Sequence, residues 1–429
     1  MKKNKFIKNT IILLIGGFLT KVLGMLLKII LTRNIGTKTL GLYMLIMPTF
    51  NLFITLSQAG FPVSISKLVS EDKMNNKKIV FSSIFMSLVL TLFLMIITIF
   101  TAPFISNMLH NNLLKTPIMC IGFTLPFISI SSIVRGYFFG KENMVPHVVS
   151  NTFEQIFRII IYLLILPVII EYGEIFSINF IILTNILSET LSIFILYFFL
   201  PKKIKINKQY IKPDIEIMKD VLNISIPTTG SRVLGTIGYF FEPIILTTFL
   251  LMNGYTNNYI TYEYGVLTGY VMPLLLMPSF FSMAISQATI PVISNGYANN
   301  KIGYIKQKIK QSLYTSFFIG LFFTIFLMIF PKYCMKLIYD TYEGVNYIRV
   351  LAPFFLLYYI QGPLVAVMQA LNKSKDAFNS TLIGIIIKIF LMIVLSYFHI
   401  GIYTLIIPTI VNIIYVTLFN IIKVKKIFK

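Results

Sequence analysis

Twelve runs of roughly twenty mainly apolar residues leave this 429-residue chain few ways to fold; they lie near 10–31, 40–62, 79–101, 117–139, 148–170, 176–200, 221–250, 264–291, 311–330, 347–371, 378–398 and 400–422. A helix rises about 1.5 Å per residue, so each run is long enough to cross a hydrocarbon core about 30 Å thick. With 56% hydrophobic and 12% charged residues and a mean hydropathy of +0.82, the chain has more apolar surface than one soluble core could hide. The expected fold is an all-α polytopic membrane protein with about 12 transmembrane helices.

The runs divide as six plus six around a basic segment. Residues 1–200 read as one six-helix lobe, 201–220 as a cytoplasmic linker bounded by Pro201 and Pro213, and 221–429 as a second six-helix lobe. The halves share residues. Ser57-Gln58-Ala59 followed by Pro62-Val63 recurs 229 residues later as Ser286-Gln287-Ala288 followed by Pro291-Val292. Lys21-Val22-Leu23-Gly24 is echoed by Arg232-Val233-Leu234-Gly235, and Gly140-Lys141 by Asn372-Lys373. Two pseudo-symmetric lobes around a central cavity are the architecture of a transporter that rocks about a shared site.

A net charge of +22 raises the question of nucleic acid, but the placement of the charge points to a bilayer. With the N-terminus inside, the cytoplasmic segments carry 25 Lys or Arg residues and the outer loops 5. By the positive-inside rule both termini are cytoplasmic and the chain is a multi-pass protein of the cell membrane that binds no nucleic acid. Lys21 interrupts the first apolar run and no small-residue cleavage site follows, so that run reads as a span rather than a secretory signal. The segment 301–310 alternates Ile302, Ile305 and Ile309 with lysines; it fits either an amphipathic surface helix or a solvated loop. Pro273 and Pro278 mark the eighth span as one that bends.

Lys21 and Arg232 each lie about eleven residues into a span, roughly 16 Å deep, at matching positions of the two lobes. Arg158 and Lys388 form a second pair at similar depth. A charge there costs at least about 2.5–3.5 kcal/mol if it faces lipid, so these side chains should point into the bundle or a wet cavity. Seven cations (Lys21, Lys28, Arg135, Arg158, Arg232, Arg349 and Lys388) face three intramembrane acids, Glu154, Glu189 and Glu242, leaving four positive charges unmatched. Such a surplus suits a multiply charged anion, and a pyrophosphate-bearing headgroup has the required charge and acceptors.

The expected substrate-binding cations are therefore Lys21, Arg232, Arg158, Lys388 and Lys28, with Glu154 and Glu242 as gate or ion-coupling residues. Plainer readings stand beside these. Glu154 and Arg158, at i and i+4, also fit a simple intrahelical ion pair. Lys28 sits where a long side chain can snorkel to the interface. Arg135 and Arg349 read as interfacial anchors, and Glu242 as either a gate partner or a solvated acid.

Catalysis finds little support. His110, His147 and His399 stand apart, Cys120 and Cys334 have no metal spacing, and no Walker-type loop occurs, so no metal, cofactor or ATPase chemistry is expected. A membrane glycosyltransferase would need clustered outer acids, whereas Glu171, Glu174, Glu263, Asp340 and Glu343 are dispersed over separate loops. A cation or drug antiporter of the same two-lobe kind would want buried carboxylates, and only Glu154, Glu189 and Glu242 are available, which makes it the weaker alternative.

Thr20-Lys21-Val22-Leu23-Gly24, Gly36, Gly41-Leu42-Tyr43, Pro48 and Gly60-Phe61-Pro62-Val63 through Ser66-Lys67 resemble the opening of the stage V sporulation protein B group. That group belongs to the multidrug, oligosaccharidyl-lipid and polysaccharide exporter superfamily. Arg135-Gly136, Gly140-Lys141, Glu154-Gln155 and Arg158 resemble its fourth and fifth spans, so the likeness covers essentially the whole chain. The resemblance implies two six-helix lobes around a V-shaped cavity and alternating access. It implies a flippase, not an enzyme, moving an undecaprenyl-pyrophosphate-linked saccharide to the outer leaflet, in the sporulation case a peptidoglycan precursor. Cell-wall synthesis enzymes are its implied partners. Lys21 matches the basic residue of the first-span motif, where relatives often have Arg. Lys28 stands where related lipid II flippases commonly place an acid.

Overall fold

A computed structural model describes residues 2–71, 74–200 and 213–427, and every regular element among them is helical. The chain separates into two compact units, Met1–Phe240 and Phe241–Lys429. The first holds α1 (Lys2–Gln58), α2 (Phe61–Glu71), α3 (Asn76–Met108), α4 (Lys115–Gly140), α5 (Val145–Leu164), the short α6 (Leu166–Ile170), α7 (Glu174–Phe199) and most of α8 (Ile215–Met252). The second holds α9 (Asn257–Gly265), a π-helical turn (Val266–Val271), α10 (Met272–Leu276), α11 (Ser279–Ala298), α12 (Ile302–Ile329), α13 (Pro331–Tyr339), α14 (Val345–Ala370), α15 (Ser374–Ser396) and α16 (Tyr403–Ile427). The division falls inside α8, whose early residues Ile217 and Val221 pack with Phe61, Ile65, Ile133 and Tyr137 in the core of the first unit. Most of the expected linker, residues 201–212, lies outside the described residues.

Among the described residues nine helices are long and apolar enough to cross a membrane, and a bent pair brings the number to ten. Two places account for the difference from twelve runs. The runs 10–31 and 40–62 share α1, a 57-residue helix bent at Gly36 (φ 69°, ψ 161°), with at least about 30 Å of helix on either side. The run 148–170 falls on α5, which carries Glu154, Gln155 and Arg158 and is not among the apolar set.

The two copies of the repeated motif fold differently. In the first, Ala59 (φ 43°) and Gly60 (φ 65°) end α1 and redirect the chain into α2. A Cβ on Gly60 would lie 2.9 Å from the Ser225 carbonyl oxygen, so both the backbone angle and the approach of α8 require glycine. In the second copy Thr289 occupies the corresponding place, and α11 continues through it. The second half breaks earlier instead: Asn257–Leu276 and Ser279–Ala298 meet at 48°, beside Pro278.

Helices α2 and α4 pack closely because Gly136 and Gly140 lie one turn apart on the contact face. A Cβ at these positions would stand 2.9 Å from Pro62 Cα and 2.7 Å from the Ser66 carbonyl oxygen. The segment 301–310 is neither a separate surface helix nor a loop. It is the first part of α12, and Ile305 and Ile309 are buried in the core of the second unit with Ile293, Leu364 and Leu371. Burial of that face joins the amphipathic stretch to the following span.

Candidate functional site

The intramembrane charges sort into three groups. In the first unit, α4, α5 and α7 each contribute an arginine or a glutamate to one buried network. Arg135 Nη2 donates to Glu154 Oε2 at 2.8 Å, to Ser192 Oγ at 2.8 Å and to Glu189 Oε2 at 3.4 Å. Arg158 Nη2 donates to Glu154 Oε1 at 2.7 Å and its Nε to Ser188 Oγ at 2.8 Å. Ser131 Oγ donates to Glu189 Oε2 at 2.5 Å. Two guanidiniums thus face two carboxylates, and the network closes on itself.

This placement corrects the reading of Arg135 as an interfacial anchor: its side chain turns inward because both acids of α5 and α7 lie within reach. The intrahelical Glu154–Arg158 pair is present, but it is one edge of a larger assembly. Sequence reasoning missed the hydroxyls. Their signal was the set of polar residues on otherwise apolar helices, Ser131 four before Arg135 on α4, and Ser188 and Ser192 beside Glu189 on α7.

In the second unit, Lys388 Nζ of α15 lies 2.6 Å from Glu242 Oε2 of α8, with side-chain exposures of 10% and 13%. Glu242 is therefore not a solvated acid. The pair borders a water-sized void of about 20 Å³ lined by Leu267 and Thr268 of the π-helical turn together with Met272, Leu351 and Thr409. π-Helical insertions interrupt the regular hydrogen-bond ladder and are frequent at functional positions.

The remaining expected cations differ. Lys21 is exposed and lines a cavity of about 210 Å³ with Thr20, His147 and Asn151. Gly16 lets α1 and α5 meet beside this notch, since a Cβ there would overlap the Val148 side chain of α5. Lys28 follows two helical turns later and is half-buried. Arg232 of α8 is exposed, and its Nη2 donates to the Gln58 Oε1 of the repeated motif at 3.0 Å. Among the described residues no carboxylate pairs with Lys21, Lys28 or Arg232. The structure thus brings Arg158 together with Glu154, and Lys388 with Glu242, and leaves the other three cations apart from acids.

The sequence model of polysaccharide biosynthesis proteins matches residues 6–296, more than half of the chain. The chain is also 36% identical over 407 residues to "Stage V sporulation protein B" of Bacillus subtilis, covering 92% of this chain and 79% of the relative. The chain belongs to the polysaccharide biosynthesis protein family.

It is also similar to "Lipid II flippase MurJ" of B. subtilis, 23% identical with 90% of this chain and 77% of the relative covered. A second model, MatE, matches residues 267–394, which include Lys388. Two solved structures share the fold. An inward-facing multidrug resistance transporter of the MOP superfamily superposes with a TM-score of 0.74 at 17% identity, with 95% of each chain covered. Lipid II flippase MurJ in an inward closed conformation gives 0.72 at 17% identity, with 96% of this chain and 87% of that one covered. The family member described here is a multi-pass membrane protein that shares the fold of these transporters.

Proposed function

We propose that the protein is a flippase that carries a saccharide linked to an isoprenoid pyrophosphate, of the undecaprenyl type, from the inner to the outer leaflet by alternating access. The observation that carries this reading is the uneven pairing of the cations. Arg135, Arg158 and Lys388 are matched by carboxylates, whereas Lys21, Lys28 and Arg232 are not matched among the described residues. Cations held without acids are the groups available to a phosphate, and the notch at Lys21 adds the hydroxyl of Thr20, the amide of Asn151 and the imidazole of His147. Arg158 and Lys388 would then act through the packing they secure, and Glu154 and Glu242 by holding those cations or by exchanging them during the cycle. The excess of basic residues in one set of turns supports cytoplasmic termini.

A peptidoglycan precursor is the saccharide most in keeping with the names of the relatives, and enzymes that make or polymerise it are the expected neighbours. The cation or drug antiporter fits less well, because Glu154, Glu189 and Glu242 all lie against basic side chains. The test is translocation of a fluorescent polyprenyl-pyrophosphate saccharide in proteoliposomes. Lys21→Ala and Arg232→Ala should abolish it while membrane insertion and melting stay unchanged. Full activity in both variants removes the headgroup site, and proton- or sodium-driven dye efflux would favour the antiporter.

A further inference from the structure

A groove of about 640 Å³ lies between α3, α4 and α7 of the first unit, away from Lys21, Lys28 and Arg232. Its floor is Ile130, Val134 and Tyr137 of α4, and its walls are Val80, Phe81 and Ile84 of α3 with Ile193, Tyr197 and Leu200 of α7. From Ile130 to Lys141 it follows α4 for eleven residues, about 16 Å, which is half the thickness of a hydrocarbon core and so the depth of one leaflet. The flanking helices turn large apolar side chains outward: Phe85, Val89 and Phe93 on α3, and Phe194 and Phe198 on α7 are exposed. The groove therefore opens where lipid chains run.

Its charge is one-sided. Lys77 and Lys141 stand at the end formed by the α2–α3 and α4–α5 turns, with Asn75 and Asn76 beside them, and no acid is among the described lining residues. An apolar trough one leaflet deep, ending in two ammonium groups and two amides, matches an acyl chain below a phosphodiester. A choline headgroup would add a third cation to the same end, whereas the glycerol of an anionic lipid adds only hydroxyls. We propose that this groove binds one anionic phospholipid of the bilayer, with phosphatidylglycerol as the type, its phosphate at Lys77 and Lys141 and one chain along α4. This site is separate from the translocated substrate and does not depend on the flippase reading.

Native mass spectrometry of the full-length protein, incubated with phosphatidylglycerol and phosphatidylcholine of matched chains, reads the preference. Two lysines at a lipid surface correspond to a preference of about tenfold or more for the anionic lipid. The K77Q/K141Q variant should lose that preference, and K306Q/K308Q on α12 should keep it. Retention of the wild-type preference in K77Q/K141Q overturns the proposal. A photoreactive phenylalanine at Phe81, with both lysines intact, gives a second measurement that does not depend on the folding of that variant. An adduct with phosphatidylglycerol supports the site; an adduct with the chain's own residues 201–212, or none with lipid, overturns it.

Discussion

Replacing Glu242 by Gln leaves Lys388 as a buried ammonium with no carboxylate partner, 10% exposed on the far side of a contact that measures 2.6 Å. Removing one member of a buried ion pair costs about 3–5 kcal/mol, because the other charge has already lost its water. In a unit of this size each kcal/mol moves the melting temperature by about 2–4 °C, so Glu242→Gln should melt some 6–20 °C lower. Replacing both residues, Glu242→Leu with Lys388→Met, removes the stranded charge and should recover most of the loss. The chain has no tryptophan, but Cys334 is buried on α13, so a thiol-reactive fluorogenic dye in a Cys120→Ala background reports opening of the second unit. The reasoning fails if the single variant melts within about 2 °C of the parent, or if the double variant is no more stable than the single one.

In the first unit Glu154→Gln takes a carboxylate from two arginines at once, and Glu189 remains near Arg135 alone; a loss of about 3 kcal/mol is expected, read as a lower melting temperature, and an unchanged melt would show that the network does not hold α4, α5 and α7 together. Gly60→Val should destabilise by about 2 kcal/mol through a left-handed backbone and the close Ser225 carbonyl, whereas Thr289→Val, inside an unbroken helix, should stay within about 0.5 kcal/mol. The Asp214 carboxyl is held below the usual carboxylate range, chiefly by a hydrogen bond from Lys78 and also by the Ile217 and Glu216 amides, although partial burial opposes this. An acid with a lowered folded value stabilises above its ordinary pH range near 4 and loses that contribution as pH falls through the lowered value. Protection of the Glu216 and Ile217 amides against exchange, relative to a distant helix, should therefore drop below about pH 4 in the parent and be low at every pH in Asp214→Ala, which lacks the capping oxygen.

Much of the fold was legible because membrane helices announce themselves by length and apolarity. The exception at α5 is instructive: Glu154, Gln155 and Arg158 lower its apolarity for the same reason that they form a network, since side chains satisfied by neighbouring helices need not be apolar. The expected pairing of Arg158 with Lys388 by symmetry concerned position along equivalent helices; Lys388 is buried and Arg158 half-buried. Their partners could not be read that way, because Glu154 lies on the same helix as Arg158 whereas Glu242 reaches Lys388 from α8, 146 residues away in sequence. Arg135 was misplaced because distance along a helix gives depth but not azimuth, and azimuth alone decides whether a long side chain meets water or an acid. The motif glycines were more informative than their bland chemistry suggested: Gly36 bends α1, Gly60 ends it, and Gly136 and Gly140 admit α2.

The two interruptions of the duplicated helices are not in register. Moved by the offset of 229 residues, the break at Ala59 and Gly60 would fall at 288 and 289, yet the second half bends at Met277 and Pro278, eleven residues earlier. Eleven residues are three helical turns, about 16 Å along the axis. Under the motif's own offset one elbow lies half a membrane away from the other, so a bend in one half falls at a different depth from a bend in the second. Exchanging only the shared Ser-Gln-Ala segments would transplant letters without the elbow, and a working chimera would have to carry Asn257–Ala298 as a single piece.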